Sequence, residues 1–298
     1  MNATGRSFKT IASGLYLEGL AIDFAREIIW YSDVISGGVH GVKADGTKVA
    51  TLNEKRMWIG GVLMNQDGAV LSTGEGGIMW THPESGRSGW LLNELDNRPI
   101  NGINEMVPDG TGGIFFGTAD IEKIVKGEAA RPTSLYRLTK EGEVIRLADG
   151  IGFTNGIMYD QSRRRVYCND TFHSTWVFDV KADLTLHNRR LFMKKEDVDG
   201  MALDADGNIW TTGFRSGFIT RLAPDGTALA RFETPAAAIC QLRFGGPDMR
   251  DLFFVSVPGD GGDTLKEGGA ITAVNSFLHK GRSPVAGMRI DPAGFDLA

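Results

Sequence analysis

A six-residue phrase recurs along this chain and limits what it can fold into. Asp199–Asp204 (DGMALD) has an acidic residue, a short apolar run and a closing Asp; the Asp206-Gly207 turn and a second apolar run to Trp210 follow. The phrase returns as EGLAID from Glu18, GGVLMN from Gly60, NEMVPD from Asn104, NGIMYD from Asn155 and CQLRFG from Cys240. Successive first positions are 42, 44, 51, 44 and 41 residues apart. Each unit is too small to bury its own apolar faces, so neighbouring units must stack. Short strands and Asp/Gly turns at this period predict an all-β chain, a six-bladed β-propeller with four antiparallel strands per blade. The repeat runs across nearly the whole chain, which makes residues 1–298 a single domain. Residues 7–17 read as a strand that closes the last blade, beside strands near 268–274 and 283–290. The third strand of that blade is expected at Ala270–Val274.

Composition narrows the partners. A hydrophobic content of 42% suffices for an extended core, and a net charge of −5 with pI near 5.6 argues against a nucleic-acid footprint. There is no basic run to suggest a membrane surface, no apolar run long enough to span one, and no apolar leader in MNATGRSFKT. The two cysteines, Cys168 and Cys240, are far apart and fit a reduced, cytoplasmic setting, packed as small hydrophobes, though one bridge between them stays open. A monomer or a small homo-oligomer is expected.

A propeller brings the first residue of each inner strand to one level around its axis. That level should hold Glu18, Asn104, Asn155 and Asp199, with Gly60 and Cys240 as smaller members. Two carboxylates and two amides are hard oxygen donors. They suit one divalent cation, calcium first, with water completing about six to eight ligands. No histidine occupies such a position, so zinc is less favoured, while Mn²⁺ and Fe²⁺ stay open. A single Asp or Asn at a strand start is ordinarily a turn or cap residue. Four in one slot of a repeat are different, because buried uncompensated carboxylates are strongly unfavourable. Asp23, Asn65, Asp109, Asp160 and Asp204 close the inner strands and read as turn formers away from the chemistry. The long third interval carries extra chain at 119–132, expected as a loop or short helix at the mouth.

These residues resemble the SMP-30/gluconolactonase, or regucalcin-like, family. The resemblance rests on Glu18-Gly19, Asn104 with Asp109, Gly112, Phe115, Gly117 and Thr118, Asn155-Gly156, and Asp199-Gly200-Met201 with Asp206, Gly207, Ile209 and Trp210. Phe244-Gly245-Gly246 and Asp248 extend it into the last blade. It implies a six-bladed propeller with a divalent metal in its channel. It also implies Glu18, Asn155 and Asp199 as direct ligands, Asn104 at the metal or the substrate, and Asp199 as general base. The family hydrolyses lactones, with relatives acting on phosphotriesters. One departure matters: sugar-lactone members often carry Arg two residues before the first Asn, where this chain has Gly102. Glu122 falls where some members hold a sugar-binding acid.

The expected reaction is metal-dependent opening of a lactone to a hydroxy acid, with Asp199 and Asn104 as catalytic residues and the metal as Lewis acid. A phosphotriesterase on the same site and a non-catalytic calcium-binding propeller are the alternatives. Trp58 beside Met57, Phe153, Phe172, His173 and Phe214 beside Arg215 are candidates to line the mouth and meet substrate; packing between blades is their other reading. Glu75 and Asp170 could reach the mouth in support.

Overall fold

The structure is a computed structural model that describes residues 7–121, 123, 126, 128, 131–259, 264 and 269–297. Among them are six four-stranded antiparallel sheets and one two-stranded ribbon. Strand β1 (Lys9–Gly14) precedes the first blade, β2–β5 (Leu17–Asp23, Ile28–Asp33, Val39–Val42, Lys48–Leu52). The second blade is β6–β9 (Val62–Met64, Val70–Ser72, Ile78–Thr81, Ser88–Leu92), followed by the ribbon β10–β11 (Glu94–Leu95, Arg98–Pro99). The third is β12–β15 (Ile103–Pro108, Ile114–Thr118, Thr133–Leu138, Val144–Ile151) and the fourth β16–β19 (Thr154–Asp160, Arg165–Asp170, Ser174–Val180, Leu186–Met193). The fifth is β20–β23 (Val198–Leu203, Ile209–Gly213, Phe218–Leu222, Ala228–Glu233). The last blade is β24 (Ala238–Gly245), β25 (Asp251–Val257) and β26 (Ser276–Arg282), completed by β1 from the other end of the chain. The six-bladed propeller is therefore the observed fold, and the first strand closes it.

Packing follows the patterning. Inner strands such as β16 and β24 are buried at every residue, whereas outer strands such as β23 are largely exposed. The apolar clusters lie between neighbouring blades rather than in one central core; Trp30, Val39, Ile59 and Val70, for example, join blades one and two. Burying a side chain of that size contributes about 1.5–3 kcal/mol.

The turn residues behave as expected. Asp204 Oδ1 accepts from the backbone N–H of Asp206 and Asn208, and its Oδ2 from Trp210 Nε1 and Arg221 Nε. Asp23, Asp109 and Asp160 make similar side-chain turns and each pairs with an Arg. A short Asp carboxylate supplies the acceptor that a tight strand reversal otherwise lacks.

The last blade differs from expectation. Its third strand is Ser276–Arg282, not Ala270–Val274, and β1 pairs with that strand rather than with 268–274 or 283–290. Ala270–Val274 has strand-forming residues but is largely exposed, Val274 included. Leu278 and His279 lie opposite Val255 and Phe254 and are buried. Residues beyond β26 cross the ends of the inner strands instead. Met288 N–H donates to Leu203 O and Ala293 N–H to Met64 O, while Asn65 Oδ1 and Nδ2 hold the Phe295 backbone. Above this tail the axis retains a cavity of about 20 Å³, room for a single water.

Candidate metal centre

The axial positions lie at the other end of the inner strands, and a shared backbone irregularity aims them. In β2, β12, β16, β20 and β24 the pairing register slips at Glu18, Asn104, Asn155, Asp199 and Cys240. A β-bulge leaves a residue out of the ladder and redirects its side chain. The glycine that follows most of these residues has a packing role. A Cβ on Gly19 would sit 2.1 Å from Gly60 O, on Gly156 2.4 Å from Asp199 O, and on Gly200 2.4 Å from Cys240 O. Only glycine lets consecutive inner strands approach this closely.

Hydroxyls and an amide at the ends of the second strands latch the carbonyl of the axial residue in the next blade. Ser32 Oγ donates to Gly60 O, Thr73 Oγ1 to Asn104 O, Asn169 Nδ2 to Asp199 O and Thr212 Oγ1 to Cys240 O. Each lies thirteen or fourteen residues after the axial position of its own blade. That offset is a signal legible in the sequence.

The result is a cluster of Glu18, Asp199 and Cys240, one ligand atom from each lying within 4.8 Å of the others. Asp199 is 5% exposed and its buried Oδ1 has no hydrogen-bond partner. Burial, then the Glu18 charge, raise its carboxyl well above the usual range. Glu18 keeps some exposure to the axis yet is surrounded by protein, and burial pushes it up to about 7. The neighbouring Cys240 thiol lowers both carboxyls without offsetting this. Two carboxyls held together away from water need a compensating proton or cation. Asn155 is buried. The Asn104 amide spends Nδ2 on Thr154 O, while its Oδ1 lies over Gly60, 2.5 Å from where a Cβ would stand. It thus presents its acceptor end. The donor set fits a divalent cation.

A second polar layer, not expected from the sequence, lies beneath. Glu105 and Gln241 occupy the places that other blades give to glycine, and they meet across the axis at 2.5 Å (Gln241 Nε2 to Glu105 Oε2). Arg243 Nη1 donates to Gln241 Oε1 and Met201 O, and its Nη2 lies 3.5 Å from Glu105 Oε2. Blades three and six are opposite one another, which is why residues 136 positions apart join here. Burial raises the Glu105 carboxyl, and the Arg243 charge counters it. Tyr16 was also missed; its hydroxyl, raised by burial, interacts with Cys240, Glu18 and Asp199. Lys195, 2.5 Å from Asp197 Oδ1, adds a positive charge that lowers Asp199.

The sequence pattern described as the SMP-30/Gluconolactonase/LRE-like region matches residues 17–258, a span that holds all six axial positions. The chain belongs to this family. Among relatives of the SMP-30/gluconolactonase/LRE-like chain, a pentonolactonase of Haloferax volcanii is 26% identical over 253 residues, 80% of this chain and 81% of that protein. Of solved structures, a luciferin-regenerating enzyme superposes with a TM-score of 0.83 at 18% identity, covering 98% of this chain and 100% of that one. A regucalcin of Agrobacterium tumefaciens, described as a calcium-binding protein, gives 0.79 at 19% identity over 98% of both chains. At such identities the structural likeness speaks for the fold.

The residues expected at the mouth of this family member divide. Trp58 and Phe153 lie two residues before axial positions and are half-buried; Trp58 has a left-handed backbone (φ 58°). Phe172 is 53% exposed, also left-handed (φ 74°), and meets Phe214 edge-on at 5.8 Å. His173 is exposed, with its ring over Gly152. Asp170 is buried and accepts from Phe153 N–H and Trp176 Nε1. Glu75 is exposed. Glu122 lies outside the described residues. In the same inserted stretch Ile121 and Lys123 are helical, and Ile121 fills the space where a side chain on Gly102 would stand. Among the described residues no helix is long and apolar enough to cross a membrane.

Proposed function

We propose that this protein is a divalent-metal-dependent lactonase that opens a lactone to its hydroxy acid. The observation carrying this is Asp199, a buried carboxylate with an unpartnered oxygen, set against Glu18 at the axis. The names of relatives, a pentonolactonase among them, support the same reaction class. A cation held by Glu18, Asn104, Asn155 and Asp199 would polarise the carbonyl and offset the paired carboxylates. Asp199 takes the proton of the attacking water and returns it to the departing ring oxygen, so lactone and water become a hydroxy acid. Asn104 and Asn155 orient carbonyl and water. The buried latches keep these groups from relaxing away.

The substrate enters past Trp58, Phe153, Phe172, His173 and Phe214. Ile121 over Gly102 puts an apolar side chain where sugar-lactone members often have Arg, and the Phe172–Phe214 pair, with Phe172 exposed, is apolar too. Both support a lactone with an apolar face over a fully hydroxylated one. The setting we infer is cytoplasmic.

The test is a hydrolysis screen of sugar, aliphatic and aromatic lactones, with phosphotriesters as a separate arm, using Ca²⁺, Mn²⁺, Zn²⁺ and Fe²⁺ against chelated protein. Lactone turnover that chelation removes is expected. Asp199→Asn should lower kcat by about 10²–10⁴-fold with the fold retained. Near-native turnover in that variant would reject the role of Asp199.

A further inference from the structure

We propose that Cys240 is itself a ligand of the cation, which makes the centre a mixed oxygen–sulfur site selective for a thiophilic ion of the zinc class over calcium. This rests on reading the axis as a cation site, and it reverses the preference drawn from oxygen donors alone. Cys240 Sγ, a Glu18 oxygen and an Asp199 oxygen form one cluster within 4.8 Å. The three come from consecutive blades, β20, β24 and β2, whose inner strands pack side by side. Asp199 Oδ1, buried and unpartnered, supplies an independent sign of a missing positive partner.

A cysteine packed only for its volume would face apolar neighbours. Cys168 is such a residue, fully buried within the apolar cluster of blades three to five. Cys240 instead borders an apolar cluster that includes Leu17, Ala238 and Val255 while its sulfur lies beside two carboxylates. Its position is bulged out of the β24–β25 ladder, and Thr212 Oγ1 holds its carbonyl. The backbone is thus built to deliver this side chain to the axis.

Calcium takes oxygen ligands, and thiolate sulfur is a poor donor to it. Zinc accepts thiolate and carboxylate together, and ferrous iron has related tolerance. On binding, the thiol proton leaves to solvent and the thiolate sulfur donates its pair to the metal.

The experiment uses the full-length chain freed of metal and titrated separately with Co²⁺, Zn²⁺ and Ca²⁺. Binding is read by equilibrium dialysis, and thiolate ligation by the near-ultraviolet sulfur-to-cobalt charge-transfer band. Expected are one Co²⁺ per chain with a thiolate band that persists in Cys168→Ser and vanishes in Cys240→Ser. Cys240→Ser should weaken Zn²⁺ by at least about tenfold, more than it weakens Ca²⁺. Stoichiometric binding with no thiolate band, or unchanged Zn²⁺ affinity in Cys240→Ser, overturns the role of Cys240 and leaves the cation site standing. Failure of all three ions to bind overturns the cation site and this proposal together.

Discussion

At the scale of single residues the centre is a problem in charge. Glu18 and Asp199 are both pushed above the ordinary carboxylate range, chiefly by burial. A carboxyl whose folded pKa is raised binds more protons folded than unfolded between the two values. Its contribution to stability is therefore present below about pH 4.5 and lost as pH rises through its folded value, about 7 for Glu18. A bound cation removes that loss. The increase in Tm on adding metal should thus be larger at about pH 7.5 than at about pH 5, as differential scanning calorimetry of chelated and loaded protein would measure. Equal increments at both pH values would mean that these carboxyls are not the linked groups.

Among elements, the inner strand is the working unit. Its bulge turns the axial side chain inward, and the following glycine permits contact with the next blade. Gly200→Ala places a Cβ 2.4 Å from Cys240 O and 2.5 Å from Gln241 Oε1. The strand must shift, at a cost of about 1–3 kcal/mol, and metal affinity should fall with stability in titrations of the variant. Thr212→Val removes the donor to Cys240 O and the acceptor for Gly200 N–H. Two buried groups lose a partner, so chemical denaturation should register a loss of about 1–3 kcal/mol. The acidic–glycine pairs were visible as a motif. Their contact role was not, because the atom that glycine avoids belongs to another blade.

For the whole molecule, closure and capping decide stability. The first strand joins the last blade, where His279 sits between Thr10 Oγ1 and Ser256 Oγ and stacks on Phe254. Burial lowers its pKa to about 4. A depressed histidine contributes stability that is full above about pH 6.5 and shrinks as pH falls towards 4. His279→Gln should flatten that acid limb in a pH series of unfolding midpoints. The tail matters in the same way. Phe295 is buried against the blade two–three cluster, and Phe295→Ala should cost about 3–5 kcal/mol by denaturant unfolding, although it lies far from the centre.

The period of Glu18, Gly60, Asn104, Asn155, Asp199 and Cys240 was enough to determine blade number, strand type and the level at which the axial residues stand. Periodicity is a local property, carried by alternating burial and turn residues within each unit. The sequence put Cys240 at the axial level, but it could not reveal that its sulfur lies within 4.8 Å of the Glu18 and Asp199 carboxylates, that Glu105 reaches Gln241 across the axis, or that β26 starts at Ser276. Those depend on which blades face or adjoin one another and on what is left to bury a strand. Such distances arise only when the sheet ring closes.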